Sequence, residues 1–319
     1  MDSLHPRVLY ETREATAYPL LIIYNKSISL GYLPADWKLA EVTAIYKKGS
    51  KSDARNYRPV SLTSVCCKVL ESILRDHIMG YLLENDLISN KQYGFVKGRS
   101  TMLQLLHMMD KWTDYLESGG QIDTTYTDFK KAFDKVPHRR LIYKQRVYDI
   151  SDSLINWIQN FLTARQQRVR VNLSISAWGA VTSGIPQGSV LGPLLFLIYI
   201  NGLIESCETN SEIYLFADDA KLFRHILDVS NNKFLQGELH NLKDWTDKWL
   251  LRLNVKKCKL VSFGRMVDNS YWLDLEINPV DQSSRSISAE VESIDRVESI
   301  DRIDRANVKS SQSIISTRS

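Results

Sequence analysis

The order of apolar and polar residues predicts alternating helices and short strands. A helical period occurs in two segments: Leu62, Cys66, Val69, Leu70, Ile73, Leu74 and Ile78, then Met102, Leu105, Leu106 and Met109. Each segment predicts a helix with one buried face, and Ser100 or Thr101 can cap the second helix. Strand patterns occupy residues 41–46 and 123–128. A further helix ends near residue 28, closed by Gly31 and Pro34.

Two adjacent aspartates, Asp218 and Asp219, stand between two apolar runs. Each run suits a short strand, so the break between them predicts a hairpin with both acids at its tip. Two carboxylates about 4 Å apart repel each other by about 4 kcal/mol at an effective dielectric of about 20. Solvation at a turn offsets this repulsion in one interpretation, and a bound divalent cation offsets it in the other. The cation site requires another acid from elsewhere in the chain.

Asp128 can supply that acid, because it closes the strand pattern of residues 123–128. Residues 129–134 turn away from it into a predicted helix before Pro137. Three carboxylates from two neighbouring strands can hold two cations about 3.5–4 Å apart, an arrangement that serves phosphoryl transfer. Asp128 and Asp218 are 90 positions apart, so only the fold can bring them together.

A glycine-rich segment at residues 183–193 opens another apolar helix. Its glycines allow close backbone approach to a ligand, and Gln187 offers both a donor and an acceptor. A purely structural turn is the alternative interpretation.

Composition limits the function classes. With 319 residues, of which 44% are apolar, the chain can bury a substantial core. The four cysteines have neither the spacing of a disulfide framework nor that of a CxxC metal pair. The N-terminus lacks the apolar core of a signal peptide. The apolar run at residues 190–204 is too short to span a bilayer. We therefore expect a soluble intracellular protein with no membrane partner.

Basic residues form two groups within a chain of formal charge +4. The first is Lys47, Lys48, Lys51, Arg55 and Arg58, and the second is Arg165, Arg168 and Arg170. Such groups are either solvated faces or binding surfaces for a polyanion such as nucleic acid.

Five motifs occur in the order found in one family. They are residues 56–62 (NYRPVSL), 93–101 (YGFVKGRST), 127–134 (TDFKKAFD), 183–189 (SGIPQGS) and 216–219 (FADD). Between residues 33 and 264 the chain resembles reverse transcriptases of non-LTR retrotransposons, most of all those of the jockey and CR1 type. The resemblance implies an α+β right-hand polymerase fold, in which helices pack on an antiparallel palm sheet. The implied division is an N-terminal helical lead-in (1–32), fingers (33–122), palm (123–270) and a disordered serine-rich tail (271–319).

The resemblance implies roles for four residues at the reacting centre. Asp128 and Asp218 would be the principal ligands of two magnesium ions, which manganese can replace, and Asp219 would be the remaining acid. Phe133 matches an aromatic gate that would stack under the sugar and exclude a 2′-hydroxyl, so that deoxynucleotides are selected.

The remaining carried-over roles concern substrate contacts. Lys47 and Arg58 would grip the triphosphate, and Gln187 and Gly188 would lie against the nascent base pair and the template. Lys257 matches a lysine that donates a proton to pyrophosphate.

Two more motif residues carry weaker implications. Arg99 either contacts the template backbone or serves a surface role. Asp134 follows the gate on a predicted helix and is interpreted as structural.

The resemblance therefore implies an RNA-directed DNA polymerase that adds dNTPs to a DNA primer on an RNA template, in the nucleus. No helical thumb is recognisable after Trp272 and no endonuclease precedes the motifs, so we expect fingers and palm of a truncated element copy with weak, distributive synthesis. Two alternatives stay open: a catalytically silent relic that binds nucleic acid through basic fingers, and another polymerase-fold protein such as an intron maturase or a telomerase-like enzyme.

Overall fold

The computed structural model describes residues 4–208, 211–264, 272–273 and 275–276. The chain forms two compact units, each assembled from separate segments. The described part of the first unit comprises residues 4–87 and 136–196, and that of the second comprises residues 88–135 and those from 197 onward. Helices and strands occur in both units, which confirms the predicted α+β class. The division at residues 32, 122 and 270 stays a prediction.

The regular elements are numbered in chain order. The helices are α1 (Pro6–Glu11), α2 (Arg13–Leu30), α3 (Val65–Glu84), α4 (Thr101–Glu117), α5 (Ala132–Lys135), α6 (His138–Val147), α7 (Asp152–Leu162), α8 (Gly192–Ile200), α9 (Gly202–Ser206) and α10 (Asn232–Trp249). The strands are β1 (Leu39–Tyr46), β2 (Tyr57–Leu62), β3 (Gln121–Thr127), β4 (Arg165–Val171), β5 (Ser174–Ile175), β6 (Gly179–Val181), β7 (Glu212–Phe216), β8 (Asp219–Ile226), β9 (Lys259–Gly264), β10 (Trp272–Leu273) and β11 (Leu275–Glu276). The last two strands lie within the predicted tail, and the predicted disorder beyond them falls outside the described residues.

The sequence signals for helix ends are confirmed. Gly31 ends α2 in the left-handed region, with φ 58°, where glycine carries no steric penalty. The side chain of Ser100 accepts a hydrogen bond from the N–H of Leu103 and so caps α4.

The first unit contains a sheet with strand order β2-β1-β4-β5, and β6 also pairs with β4. β1 and β2 are antiparallel, whereas β1 and β4 are parallel. The parallel register places Glu41 opposite Arg168. The Glu41 carboxylate is almost fully buried, and it accepts hydrogen bonds from the guanidinium groups of Arg168 and Arg170.

The arginines of the second basic group, Arg165, Arg168 and Arg170, make contacts within the protein. Hydrogen bonds from Arg170 and then Arg168 hold the pKa of Glu41 below its usual range. The buried guanidinium of Arg165 donates to the carbonyl of Phe161 at 3.0 Å. The three arginines of the group are therefore engaged in contacts within the first unit.

The second unit contains a four-stranded antiparallel sheet of order β7-β8-β3-β9. The aromatic rings of Trp112 on α4 and Phe223 on β8 meet edge to face at 5.5 Å. Tyr214 on β7 stacks on Phe223 at 5.9 Å, and Ile122 on β3 is fully buried in the same cluster. Because these side chains share one core, α4 is fixed against the centre of the sheet.

The predicted buried face of α4 is wrong. Met102, Leu106 and Met109 are exposed, whereas Gln104, Met108 and Trp112 are buried. The buried residues follow an i, i+4, i+8 spacing, and the large ring of Trp112 decides which side of the helix meets the sheet. The prediction counted aliphatic residues and left this tryptophan out.

The most apolar helix, α8, is a core helix. Leu194 to Ile200 are each no more than 1% exposed. At about 1.5 Å per residue the helix is far shorter than the roughly 30 Å hydrocarbon core of a bilayer. Across the described residues, we find no helix with both the length and the apolar character needed to cross a membrane.

Candidate active site

The aspartate doublet lies at the turn between β7 and β8, and the predicted hairpin is confirmed. The ladder ends with the pair Phe216 and Asp219, which leaves Ala217 and Asp218 as a two-residue turn. Ala217 has a φ of 54°, a positive value that the first central residue of such a turn requires. The prediction placed both acids at the tip, but only Asp218 is in the turn and Asp219 is the first residue of β8.

Asp128 follows directly after β3, the strand beside β8. The register pairs Thr127 with Ala220. Asp128 and Asp219 are the next residues beyond this pair on the two chain segments. Asp128 and the aspartate turn therefore belong to the same end of the sheet, although Asp128 and Asp218 are 90 positions apart in the chain.

The carboxylate of Asp128 has two partners from a segment that follows α10. The Nζ of Lys257 lies 3.2 Å from Oδ2, and the side-chain amide of Asn254 donates to Oδ1 at 3.1 Å. The backbone N–H of Asn254 also donates to the carbonyl of Asp128 at 2.6 Å. Sequence reasoning missed Asn254, although it lies three residues before Lys257 in the motif that singled out this lysine.

The ion pair between Lys257 and Asp128 is open to solvent on the lysine side. About half of the Lys257 side chain is exposed, against 14% of the Asp128 side chain.

Backbone hydrogen bonds hold the segment 183–191 within the first unit. The N–H of Gly184 donates to the carbonyl of Val136 at 3.0 Å, and the N–H of Ser61 donates to the carbonyl of Gln187 at 2.7 Å. Gly188 has a φ of 104°, and a Cβ there would lie 2.7 Å from the Ser61 carbonyl oxygen. Only glycine fits this position.

Glu71 on α3 fixes the other end of this segment, and sequence reasoning missed it. Its Oε2 accepts the N–H groups of Val190 at 2.8 Å and Leu191 at 3.0 Å. The side chain is fully buried, and this burial raises the pKa of the carboxyl. The sequence does contain a signal for this role: Glu71 is an acid that lies four residues after Cys67 and three before Leu74, on the apolar face of the helix.

Lys47 and Arg58 lie at the two ends of the basic loop between β1 and β2. The N–H of Lys47 donates to the carbonyl of Asn56 at 2.8 Å, and Arg58 pairs with Ile45 in the ladder. Within the loop, the guanidinium of Arg55 forms an ion pair with Asp53 at 2.8 Å. The loop is therefore braced by its own contacts while Lys47 stays exposed.

The family assignment rests on a comparison with protein-family models. The model described as "Reverse transcriptase (RNA-dependent DNA polymerase)" matches residues 45–296, which is most of the chain. The chain belongs to the reverse transcriptase family. Members of this family generally use divalent metals.

Relatives of this reverse transcriptase confirm the resemblance to the jockey type. The RNA-directed DNA polymerases from mobile element jockey are 30% identical over 83% of the chain in Drosophila funebris and 29% identical over 77% in Drosophila melanogaster. A probable RNA-directed DNA polymerase from transposon X-element of Drosophila melanogaster is 28% identical over 79%. The matched regions make up 28–30% of these relatives, so the chain spans under a third of their length.

Solved structures confirm the right-hand polymerase fold. A Candida tropicalis telomerase truncated from its C-terminal domain matches with a TM-score of 0.55 and 11% identity, over 74% of this chain and 52% of that chain. A telomerase from the same organism in complex with a fragment of telomeric RNA also gives 0.55, over 85% and 49%. At this identity the likeness concerns the fold alone.

The carboxylates of the predicted site have the donor chemistry that a divalent metal requires. Carboxylate oxygens are the ligands that hard cations prefer, and Asp128 already binds a cation, the ammonium of Lys257. Among the described residues, no three His, Cys, Asp or Glu side chains are gathered closely enough to hold a metal ion. The triad of Asp128, Asp218 and Asp219 therefore stays a prediction.

Phe133 and Arg99 have defined surroundings in the second unit. Phe133, on α5, is half-buried and meets the ring of Phe95 edge to face at 6.3 Å. The guanidinium of Arg99 donates to the carbonyls of Ser89 at 2.7 Å and Gln92 at 2.6 Å. Arg99 thus braces residues 89–92, a role for which its sequence motif gave no indication.

Proposed function

We propose that this chain extends a DNA primer with dNTPs on an RNA template. One observation supports the proposal: the ladder of β3 and β8 ends with Thr127 and Ala220, so Asp128 and Asp219 are the next residues at that end of the sheet, near the turn that contains Asp218. Acids from two motifs that are distant in the chain therefore belong to the same end of the second-unit sheet.

In this proposal Asp128 and Asp218 hold two magnesium ions, and Asp219 adds a third negative charge. When bound, such ions neutralise the triphosphate and lower the pKa of the primer 3′-hydroxyl. The acids themselves act by being held at the end of a rigid sheet, so that little reorganisation accompanies the reaction.

The first unit supplies substrate contacts in the same proposal. Lys47 and Arg58 provide positive charge for a triphosphate, and Arg58 can bind phosphate oxygens with two N–H groups at once. Gln187 and Gly188, whose loop is held by backbone hydrogen bonds, contact the nascent base pair and the template.

Localisation in the nucleus stays a prediction.

Replacing Lys257 is expected to tighten divalent-cation binding. The ammonium competes for the Asp128 carboxylate, so Lys257→Met should lower the dissociation constant for Mn²⁺ by roughly threefold to tenfold, equivalent to about 1 kcal/mol. Calorimetric titration with Mn²⁺ measures this without any need for catalysis. Lys256→Met is the matched control, because the neighbouring side chain is exposed and of equal charge. Weaker Mn²⁺ binding by Lys257→Met than by the control would contradict the competition.

Replacing Phe133 is expected to relax sugar selection. Because valine is much smaller than the phenylalanine ring that packs against Phe95, Phe133→Val should open space for a 2′-hydroxyl and reduce the preference for dNTPs over rNTPs by about tenfold to a hundredfold. The ratio of kcat/KM for dGTP and GTP measures this preference. Phe234→Val changes another half-buried phenylalanine of the second unit and should leave the ratio unchanged. An unchanged ratio in Phe133→Val would remove this residue from the gate.

The proposed function is tested by primer extension. A labelled DNA primer annealed to an RNA template is incubated with the protein, Mg²⁺ and four dNTPs, and chelation of Mg²⁺ serves as the control. We expect lengthening that depends on Mg²⁺ and on the template. A primer that is bound but never lengthened, at any salt concentration, would refute polymerase activity in this chain.

A further inference from the structure

A short segment before α4 extends the edge of the second-unit sheet beside the aspartate turn. The N–H of Leu215 donates to the carbonyl of Lys91 at 2.9 Å, and the N–H of Tyr93 donates to the carbonyl of Leu215 at 2.8 Å. Gln92 and Leu215 thereby form an isolated parallel bridge. The segment is held in turn by the guanidinium of Arg99, which donates to the carbonyl of Gln92 at 2.6 Å.

The side chain of Gln92 reaches from this segment to the turn. Its Oε1 accepts the N–H of Gly94 at 2.8 Å and the N–H of Ala217 at 3.0 Å. Ala217 is the turn residue with positive φ, and it immediately precedes Asp218. A single buried oxygen therefore fixes the backbone from which the Asp218 side chain projects.

Gly94 leaves the space that this contact needs. A Cβ on Gly94 would lie 2.3 Å from the Ala217 nitrogen and 3.0 Å from its Cα. Real Cβ atoms do not approach backbone so closely, and Gly94 does not have a left-handed φ. The glycine is thus required for close packing of two backbones and not for an unusual conformation.

The amide of Gln92 is poorly satisfied apart from this contact. The residue is 1% exposed, and its Nε2 has no hydrogen-bond partner in the described structure. A buried donor without a partner carries the desolvation penalty of that group. What sets Gln92 apart is its Oε1, which satisfies two backbone N–H groups, one of them in the aspartate turn.

We propose that Gln92 is the positioning residue of the aspartate turn. Its Oε1 sets the place of the Asp218 carboxylate through the N–H of Ala217, and Gly94 gives the backbone contact that completes the hold. The catalytic part of this inference rests on the proposed function, in which Asp218 is a metal ligand. The structural part stands by itself.

Gln92→Leu and Gln92→Asn remove the contact in different ways. Leucine has no acceptor, and the shorter asparagine keeps the amide but cannot reach both N–H groups, which provides a second variant if leucine prevents folding. Gln92→Glu keeps an acceptor oxygen and should retain the hold on the turn. Gln104→Leu is the matched control, because Gln104 is equally buried in the same unit and neither polar atom of its side chain has a hydrogen-bond partner.

Amide hydrogen exchange tests the structural part without requiring activity. We expect exchange in peptides covering residues 215–219 to be at least about tenfold faster in Gln92→Leu and Gln92→Asn than in wild type, because the Ala217 N–H loses its acceptor. Gln92→Glu and Gln104→Leu should keep the wild-type rate. Unchanged exchange in both disruptive variants would overturn the proposal.

Metal dependence of primer extension tests the catalytic part. A misplacement of about 1 Å can cost roughly a hundredfold in rate, so we expect kcat to fall by about tenfold to a hundredfold in Gln92→Leu. The Mg²⁺ concentration for half-maximal rate should rise several-fold, with primer–template affinity within about twofold of wild type. A lower kcat with unchanged Mg²⁺ dependence would overturn the positioning role. If the wild type does not extend primers, the proposed function fails, and the exchange rates still decide whether Gln92 holds the turn.

Discussion

Asp218→Ala is expected to abolish primer extension while the fold persists. Loss of one carboxylate from the proposed metal site should reduce the rate of nucleotide addition by about a thousandfold or more, equivalent to about 4 kcal/mol of transition-state stabilisation. The midpoint of thermal unfolding should change little, because Asp218 is a partly exposed turn residue and not part of the core. Single-turnover extension and thermal unfolding on the same preparation measure both quantities.

The matched control for this experiment is Asp110→Ala. Asp110 is an exposed aspartate on α4 in the same unit, and we expect its variant to extend primers at the wild-type rate. Asp128→Ala should resemble Asp218→Ala, because both acids are assigned to one site. Equal extension by Asp218→Ala and Asp110→Ala would contradict the assignment of the aspartate doublet.

Glu71→Leu is expected to lower the free energy of unfolding more than any other substitution named above. The substitution leaves the part-buried N–H group of Val190 and the buried N–H group of Leu191 without the Glu71 acceptor. Each unsatisfied buried group costs about 1–3 kcal/mol, so the free energy of unfolding should fall by about 2–5 kcal/mol. Denaturant unfolding measures the loss. Because the same N–H groups end the Gln187 loop, the variant should also weaken primer–template binding.

The ionisation of Glu71 gives this contribution a defined pH dependence. Burial raises the pKa of its carboxyl in the folded protein above the value in the unfolded chain. The folded protein therefore binds this proton more tightly, and the contribution of Glu71 to stability is greatest below the unfolded pKa. It declines as the pH rises from the unfolded pKa to the folded pKa, and it is constant above that. Glu71→Gln cannot ionise and should lack this decline.

The comparison of Glu71→Gln with wild type needs a control for the other acids that titrate in the same range. Glu84→Gln serves this purpose, because Glu84 is an exposed glutamate at the end of the same helix. We expect the stability difference between Glu84→Gln and wild type to be independent of pH. If the stability difference between Glu71→Gln and wild type is also independent of pH, the pKa of the buried carboxyl is not raised in the folded protein.

The local parts of the site could be predicted from the sequence. Apolar runs on both sides of the Asp218 doublet predicted the hairpin, and the pattern of residues 123–128 predicted β3, which ends one residue earlier than predicted, at Thr127. Both signals act within a few residues of the acids. The assignment of Asp128 and the doublet to one site was implied by the resemblance and not by apolar spacing.

The supporting residues could not be predicted for the same physical reason. Gln92 and Glu71 act on backbone groups 125 and 119–120 positions away. A single sequence shows a glutamine or a glutamate, but not the N–H group that it meets. The error on α4 has a related cause, since the partner ring of Trp112 comes from the distant Phe223.

Addition of one nucleotide is the most direct test of the central claim, that the acids of the second-unit sheet catalyse RNA-templated DNA synthesis. Wild-type protein is mixed with primed RNA, Mg²⁺ and each dNTP in turn, and the labelled primer is resolved at single-nucleotide length. We predict a product one nucleotide longer with the complementary dNTP alone, and the preferred dNTP should change when the template base is changed. Addition that ignores the template base, or no addition to primer–template that is shown to be bound, would contradict the account.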